Sequence, residues 1–155
     1  ELIHHLCTKK NIETVMDIGT GTGLLALGAA AMGCRWVLAC DFNRLAVQTA
    51  RKNIVLNQWD DRVLAFQARG EDMMELPCDL VVANIHYDIM QQLLASPGLL
   101  DRQYLILSGL LHSQTRKVLE TLEQKQVHII QHRCPDGIWN TLLARPSTAG
   151  SCGVQ

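Results

Sequence analysis

The segment D-I-G-T-G-T-G at 17–23 constrains the fold of this chain more than any other part of the sequence. It follows an apolar, strand-like run at 14–18 and leads directly into a predicted helix at 24–32. Three alternating glycines allow a sharp turn, and the unpaired N–H groups of the first helical turn then face whatever the glycine turn surrounds. A strand, a glycine-rich turn and a helix in this order are typical of α/β domains that bind a ligand at the turn.

Short apolar runs alternate with helical segments along most of the chain. The predicted strands are 14–18, 35–40, 62–68, 79–85 and 104–108, and the predicted helices are 24–32, 45–56, 89–95 and 113–126. This alternation is typical of a parallel sheet with helices on both faces. The stretch Leu80 to Ala83 is continuously apolar, which predicts a central strand that is buried on both sides. The sequence therefore predicts an α/β fold.

The pattern changes near the carboxyl end of the chain. Two strand-like segments, 127–134 and 138–144, are separated only by Pro-Asp-Gly at 135–137, which predicts an antiparallel hairpin. A single domain is expected over 1–145, and the Ser-, Gly- and Thr-rich segment 146–155 is expected to be a disordered tail. Gly33 and Asn57 follow predicted helices, where each is expected to adopt a left-handed cap conformation.

Composition excludes several classes of protein. A formal charge of −1 in 155 residues gives no basic field for non-specific nucleic-acid binding. Six cysteines at wide spacings contain no C-x-x-C pair, which favours reduced thiols and predicts no metal site. The longest apolar stretch, 24–32, is far too short to span a bilayer. No signal peptide is visible, and we expect a cytoplasmic protein without membrane partners.

The spacing of the glycine turn indicates what kind of ligand it holds. A dinucleotide fingerprint needs Gly or Ala at the position of Leu24, and a P-loop needs Lys followed by Ser or Thr after the last glycine. Neither pattern is present. Asp17, just before the turn, would repel a phosphate but suit a cationic amino group. A ligand with an amino group is therefore indicated.

Further acids follow the second and third predicted strands. Asp41 ends the second strand about 20 residues beyond the turn, where a carboxylate can accept both hydroxyls of a ribose. Its alternative role is to cap the next helix, although Asn43 is better placed to do so. Glu71 and Asp72 follow the third strand on a loop opened by Gly70. Either acid could accept from an adenine amine, and a solvated loop is an equally good interpretation.

These motifs resemble those of the class I methyltransferases: the D-I-G-T-G-T-G turn, the acid at 41 and the polar loop at 70–72. Within that superfamily, V-V-A-N-I at 81–85, L-S-G-L-L at 107–111 and G-I-W at 137–139 look like the PrmA family, which methylates a ribosomal stalk-base protein on lysine side chains and its N-terminal amine. The resemblance implies a Rossmann-like, mostly parallel seven-stranded sheet, S-adenosyl-L-methionine as cofactor and a protein substrate. It covers about 13–145, and that family's substrate-recognition domain is not visible in these residues.

The resemblance and the motifs together predict the residues of the site. The expected cofactor contacts are Asp17, Gly19, Thr20, Gly21, Gly23, Asp41, Phe42, Glu71, Asp72 and Asn84. Asn84 ends the fourth predicted strand, and its side-chain oxygen, with the carbonyl of Ile85, could accept hydrogen bonds from an attacking nitrogen. Its alternative role is to cap a helix starting near His86. His86 and Tyr87 either line the pocket or face solvent.

Two other functions fit parts of the sequence. The stretch N-I-H-Y at 84–87 partly resembles the N-P-P-Y signature of enzymes that methylate amino groups of nucleic acids, but both prolines are missing. A nucleic-acid substrate is therefore less expected than a protein, and a small-molecule amine is a further alternative. A catalytically silent cofactor-binding module is the third hypothesis. The intact acids, glycines and Asn84 argue against it.

Overall fold

The structure is a computed structural model that describes residues 1–147. Its strands are β1 (Thr14–Ile18), β2 (Trp36–Asp41), β3 (Val63–Gln67), β4 (Leu80–Asn84), β5 (Tyr104–Leu110), β6 (Val127–Arg133) and β7 (Asn140–Pro146). Its α-helices are α1 (Leu2–Lys9), α2 (Leu24–Ala31), α3 (Arg44–Leu56), α4 (Tyr87–Ala95) and α5 (His112–Gln124). Two short 3₁₀ turns, Glu71–Met73 and Pro97–Leu100, complete the described elements.

The seven strands form one sheet in the order β3-β2-β1-β4-β5-β7-β6. The first five are parallel, and β7 runs antiparallel to both β5 and β6. The chain order reverses between β1 and β4, and an open α/β sheet binds its ligand at the carboxyl ends of the strands at such a point. The predicted α/β fold is confirmed, including the mostly parallel sheet and the C-terminal antiparallel hairpin.

Helices cover both faces of the sheet, as predicted. Buried residues of α1, α2 and α3 pack on one face, and those of α4 and α5 pack on the other. In β4, Leu80 and Val82 face the first layer while Val81 and Ala83 face the second, and all four side chains are at most 2% exposed. The continuous apolar run of this strand therefore follows from burial on both sides of a central strand.

Small residues hold α2 close to the sheet. Ala26, Ala29 and Ala30 are fully buried on the helix face that packs there. Gly23, immediately before the helix, has φ +84° and lies so near α3 that an added Cβ would be 3.3 Å from Ala50 Cβ. This packing fixes the start of α2 at the carboxyl end of β1, where the glycine turn lies.

Some element ends differ from the prediction for local reasons. Gly33 has φ +98° after α2, as expected, but Asn57 keeps φ −94° and the left-handed residue is Gln58, with φ +59°. The prediction for Asn57 was wrong because its side-chain Nδ2 donates to Asn53 O at 2.7 Å, which satisfies a helical carbonyl without a left-handed residue. Helix α4 begins at Tyr87 rather than at 89.

The tail was predicted to begin at residue 146, but the last strand includes that residue. Pro146 is buried and pairs with Val127 as the last residue of β7, a strand-end position where its missing N–H is tolerated. Residues 148–155, the rest of the predicted tail, lie outside the described residues. Over the described range 1–147, no helix combines the length and the apolar character that crossing a bilayer requires.

Candidate functional site

A cavity of about 370 Å³ lies at the carboxyl ends of the parallel strands. Six residues predicted for the site line it: Gly19, Asp41, Phe42, Glu71, Asn84 and Ile85. They lie at or just beyond the carboxyl ends of β1, β2, β3 and β4, so the parallel topology brings together residues that are far apart in sequence. Asp17, Thr20, Gly21, Gly23 and Asp72 are not on the cavity wall.

Asp41 holds the glycine turn as well as lining the cavity. Its Oδ2 accepts from Gly21 N at 3.0 Å and its Oδ1 accepts from Asn43 N at 2.9 Å. The carbonyl of Cys40 accepts from Gly19 N and from the next amide, at 2.9 and 3.0 Å. Asn43 is the cap of α3, and its side chain accepts from the Leu45 amide, as expected for the better-placed of the two residues. A carboxylate oxygen has two acceptor sites, so each Asp41 oxygen can still accept from a ligand.

Two glycines let the walls of the cavity come together. Gly19 has φ +67°, and an added Cβ would lie 2.4 Å from Ile85 Cγ2. A Cβ on Gly70 would lie 2.2 Å from Ile18 Cγ2. Both distances are far below van der Waals contact, so a side chain at either position would displace the end of β1 or the loop after β4.

Asp17 lies behind the glycine turn rather than on the cavity wall. It is 1% exposed, and its Oδ2 accepts from Thr20 Oγ1 at 2.6 Å and from Ala26 N at 3.1 Å. Its other oxygen, Oδ1, is buried without a hydrogen-bond partner among the groups of residues 1–147. Burial raises the pKa of Asp17 to about 6, although the bonds from Thr20 and Ala26 oppose the shift. Asp17 therefore lies behind the turn, and its direct contact with a ligand stays a prediction.

The two acids after β3 occupy different positions. Glu71 is half-buried and lines the cavity, whereas Asp72 is exposed and lies off the wall. Both belong to the 3₁₀ turn Glu71–Met73, in which successive side chains point about 120° apart. Only one of two adjacent acids can then face the cavity. The sequence did not decide which of the two acids would contact adenine; only Glu71 lies on the cavity wall, and its contact with adenine stays a prediction.

A second cavity of about 460 Å³ adjoins the first. Asn84, Ile85 and His86 line both cavities, and Ser108, Gly109 and Trp139 complete the lining of the second. His86, not Asn84, is the N-cap residue of α4, and no side chain caps that helix. The capping alternative for Asn84 is therefore wrong, and Asn84 lies where the two spaces meet.

Part of the cavity lining was not predicted from the sequence. It left His86 undecided, and the structure places it on both cavities, while Tyr87 lies in a groove beside Lys117, whose Nζ is 5.9 Å from the tyrosine ring. The cavity residues that were not predicted are Ile18, Ala68, Arg69, Gly70, Ile89 and Gln92. Ile89 and Gln92 are three residues apart on α4, and a helix start at Tyr87 would have indicated their shared face.

The described cysteines and acids offer no other obvious chemistry. Five cysteines, at 7, 34, 40, 78 and 134, are free thiols, and Cys152 lies outside the described residues. Within 1–147, no group of three or more His, Cys, Asp or Glu side chains could hold a metal ion.

Comparison with known proteins places this architecture in a family. The family model described as ribosomal protein L11 methyltransferase (PrmA) matches residues 2–146. A ribosomal protein L11 methyltransferase from Clostridium perfringens is 34% identical over 134 residues, which are 85% of this chain and 42% of that protein. One from Desulforamulus reducens is 35% identical over 133 residues, 84% of this chain and 43% of that protein. The chain thus spans less than half the length of these relatives.

Solved structures share the fold. The crystal structure of ribosomal protein L11 methylase from Lactobacillus delbrueckii subsp. bulgaricus has a TM-score of 0.79 and 26% identity, covering 94% of this chain and 75% of that one. The N-terminal domain of human METTL16 in complex with SAH has a TM-score of 0.73 at 18% identity, covering 93% of this chain and 65% of that one. The sheet order, the glycine turn and the match over nearly the whole chain lead to one conclusion: this chain belongs to the PrmA family of ribosomal protein L11 methyltransferases.

Proposed function

We propose that this chain is the catalytic domain of an S-adenosyl-L-methionine-dependent N-methyltransferase whose acceptor is an amino group of a ribosomal protein. One observation carries the proposal. Asn84, Ile85 and His86 line both cavities, so a cofactor in the first and an amine in the second would meet at these residues. The names of the family and of the relatives support the ribosomal-protein substrate. A cytoplasmic location follows from that substrate.

The first cavity fits an adenosyl amino acid. Asp41 and Glu71 supply acceptors for ribose hydroxyls and an adenine amine, and Phe42, 69% exposed beside Asp41, offers an aromatic face that a bound base would cover. The buried Asp17 carboxylate behind the turn, with its unpartnered Oδ1, favours a ligand that brings positive charge to this edge of the sheet. When bound, S-adenosyl-L-methionine supplies an electrophilic methyl group on a sulfonium.

The residues between the cavities are suited to hold the acceptor nitrogen. A lysine amine must lose its proton before it can attack, and then it has two N–H bonds and one lone pair. Asn84 Oδ1 and Ile85 O can each accept one N–H, which leaves the lone pair free to point toward the first cavity. Water in the second cavity would take the proton that the ammonium loses before attack, and the methylated nitrogen would keep its two hydrogens and carry the positive charge that the sulfonium gives up. Alignment and exclusion of water are the protein's contribution, so no covalent nucleophile is needed.

Binding and transfer should separate in two variants. Asp41→Asn should weaken S-adenosyl-L-methionine binding in calorimetry by roughly tenfold to a hundredfold, since a hydrogen bond to a charged group contributes about 1.5–3 kcal/mol. Asn84→Ala should leave cofactor affinity within about threefold and reduce methyl transfer by about a hundredfold. Asp72→Asn, an acid off the cavity wall, is the control and should alter neither. Unchanged affinity in Asp41→Asn would refute its role toward the cofactor.

The acceptor class needs a separate experiment. The chain is incubated with radiolabelled S-adenosyl-L-methionine and a ribosome-containing extract, which is then split between protease and nuclease treatment. Label that survives nuclease but is lost to protease, in a ribosomal-protein band, supports the proposal. Label lost to nuclease would select the nucleic-acid alternative, and label in small molecules the third acceptor class. Cofactor binding without any transfer would indicate a catalytically silent module.

A further inference from the structure

A bulge in β5 brings Gly109 next to the atoms that are proposed to hold the acceptor nitrogen. The pairing of β5 with β7 shifts register between Ser108 and Leu110, and Gly109, the residue between them, has φ +80°. A glycine at a bulge is expected where the backbone needs a left-handed conformation. The close packing around Gly109 is a second reason why this position needs a residue without a side chain.

A side chain at Gly109 would collide with the transfer site. An added Cβ would lie 2.7 Å from Asn84 Oδ1, 3.1 Å from Ile85 O and 3.4 Å from Ile85 N. The two nearest atoms are the acceptor oxygens assigned above to the attacking nitrogen. Gly109 therefore limits where both oxygens can lie, and it also lines the second cavity.

The backbone on either side of Gly109 is held in place. Ser108 Oγ and Thr141 Oγ1 are hydrogen-bonded at 2.7 Å on one side. On the other side the fully buried Asn140 donates from Nδ2 to Leu110 O at 3.1 Å. Because both neighbours are tied to β7, the strand cannot easily retreat from a new side chain. The strain of a substitution would fall on Asn84 and Ile85 instead.

We propose that Gly109 is a positioning residue for methyl transfer, because its missing side chain lets Asn84 Oδ1 and Ile85 O occupy the boundary between the two cavities. This inference rests on the proposed function for the role of the two oxygens. It extends that function by assigning their placement to a residue on the neighbouring strand, which need not touch cofactor or substrate.

The test compares Gly109→Ala with Gly33→Ala. Gly33 has φ +98° with nothing within 4 Å of an added Cβ, so its variant carries the backbone strain without the collision. Both variants should bind S-adenosylhomocysteine within about threefold of the unmodified chain. Gly109→Ala should lose about a hundredfold in kcat, as expected for a displacement near 1 Å, and Gly33→Ala should keep kcat. Equal kcat in the two variants would overturn the proposal.

A double variant separates positioning from mere stability. Asn84→Gly removes one of the oxygens that the new methyl would strike, so Gly109→Ala should lower Tm less in the Asn84→Gly background than alone. This comparison needs no activity and can be made even if Gly109→Ala alone is poorly soluble, since the double variant should then recover soluble protein. The same Tm loss in both backgrounds would show that Gly109 does not act on Asn84.

Failure of the proposed function has a different signature. If the unmodified chain transfers no methyl group to any amine, the function fails while the contact can still be tested. In that case the side-chain amide signals of Asn84 in NMR spectra should shift in Gly109→Ala and stay unchanged in Gly33→Ala. Unshifted Asn84 signals in Gly109→Ala would overturn the inference independently of activity.

Discussion

Replacing Asp17 by Asn should change how the free energy of unfolding of the ligand-free chain depends on pH. Asp17 is buried, and its pKa is raised from 3.8 to about 6 because burial penalises the charged form. A shift of this size corresponds to about 3 kcal/mol between the two protonation states. The native state therefore favours the protonated acid. The stability that Asp17 contributes is complete below pH 3.8 and is lost as pH rises through about 6.

Most of this loss of stability occurs in a pH range in which the unfolding of a small domain can be measured. Between pH 4.5 and pH 7.5, the unmodified chain should lose about 2 kcal/mol relative to Asp17→Asn, which has no charge to bury. The Asn oxygen can still accept from Thr20 Oγ1 and Ala26 N, and its amide replaces the unpartnered Oδ1. Any cost of that buried amide is independent of pH. The difference in slope, not the absolute stability, is the quantity to compare.

The assay is urea unfolding followed by circular dichroism at several pH values, with Asp136→Asn as the control. Asp136 is exposed, and backbone N–H bonds from Ile138 and Trp139 lower its pKa, so its contribution is present at neutral pH and is lost as pH falls. Its variant should therefore run parallel to the unmodified chain between pH 4.5 and pH 7.5 and gain stability relative to it only at lower pH. Parallel pH profiles for the unmodified chain and Asp17→Asn would refute the assignment of a raised pKa to Asp17.

Cofactor binding gives a second measurement on the same carboxylate. A cation bound near the glycine turn favours the ionised form of Asp17, so affinity for S-adenosyl-L-methionine should rise between pH 5 and pH 7 as the acid loses its proton. The Asp17→Asn variant should show no such rise. If its affinity increases with pH as in the unmodified chain, another group is responsible.

Two further predictions concern stability alone and are checked by chemical denaturation. Gly98→Ala should destabilise the chain by about 3 kcal/mol, because the new Cβ would lie 2.0 Å from the backbone oxygen of Met74, whereas Gly28→Ala, inside α2 with nothing within 4 Å, should stabilise it by about 0.8 kcal/mol. Asn43→Ala should cost about 1 kcal/mol by removing the bond that caps α3 at the Leu45 amide, and Asn43→Ser should recover most of it.

The sequence predicted the architecture well because the main signals are local. The continuous apolar run Leu80 to Ala83 identified the central strand, and the Pro-Asp-Gly turn at 135–137 identified the antiparallel hairpin. The glycine turn at 17–23 and the acid at 41 lie together at one edge of the sheet because parallel strands end at the same edge. Periodicity and turn chemistry determine these features within short windows of sequence.

The remaining features depend on the folded geometry and leave no pattern in the sequence. Asp17 was expected beside a ligand, but the hydroxyl of Thr20 and the amide of Ala26 hold it behind the turn. Spacing could not separate Glu71 from Asp72, because the 3₁₀ turn that orients them is not visible as a pattern. The proposed role of Gly109 depends on the register of β5 against β4 and β7, which only the assembled sheet defines.

The hydrogen bonds of Asp41 affect how the proposed cofactor cavity forms. Its carboxylate joins Gly21 of the glycine turn to Asn43 at the start of α3, so hydrogen bonds within the chain itself hold this part of the cavity wall. The entropy lost in fixing these backbone segments is then a cost of folding, not of association. We therefore expect the cofactor to bind rapidly and in a single kinetic step, because the glycine turn does not have to rearrange first.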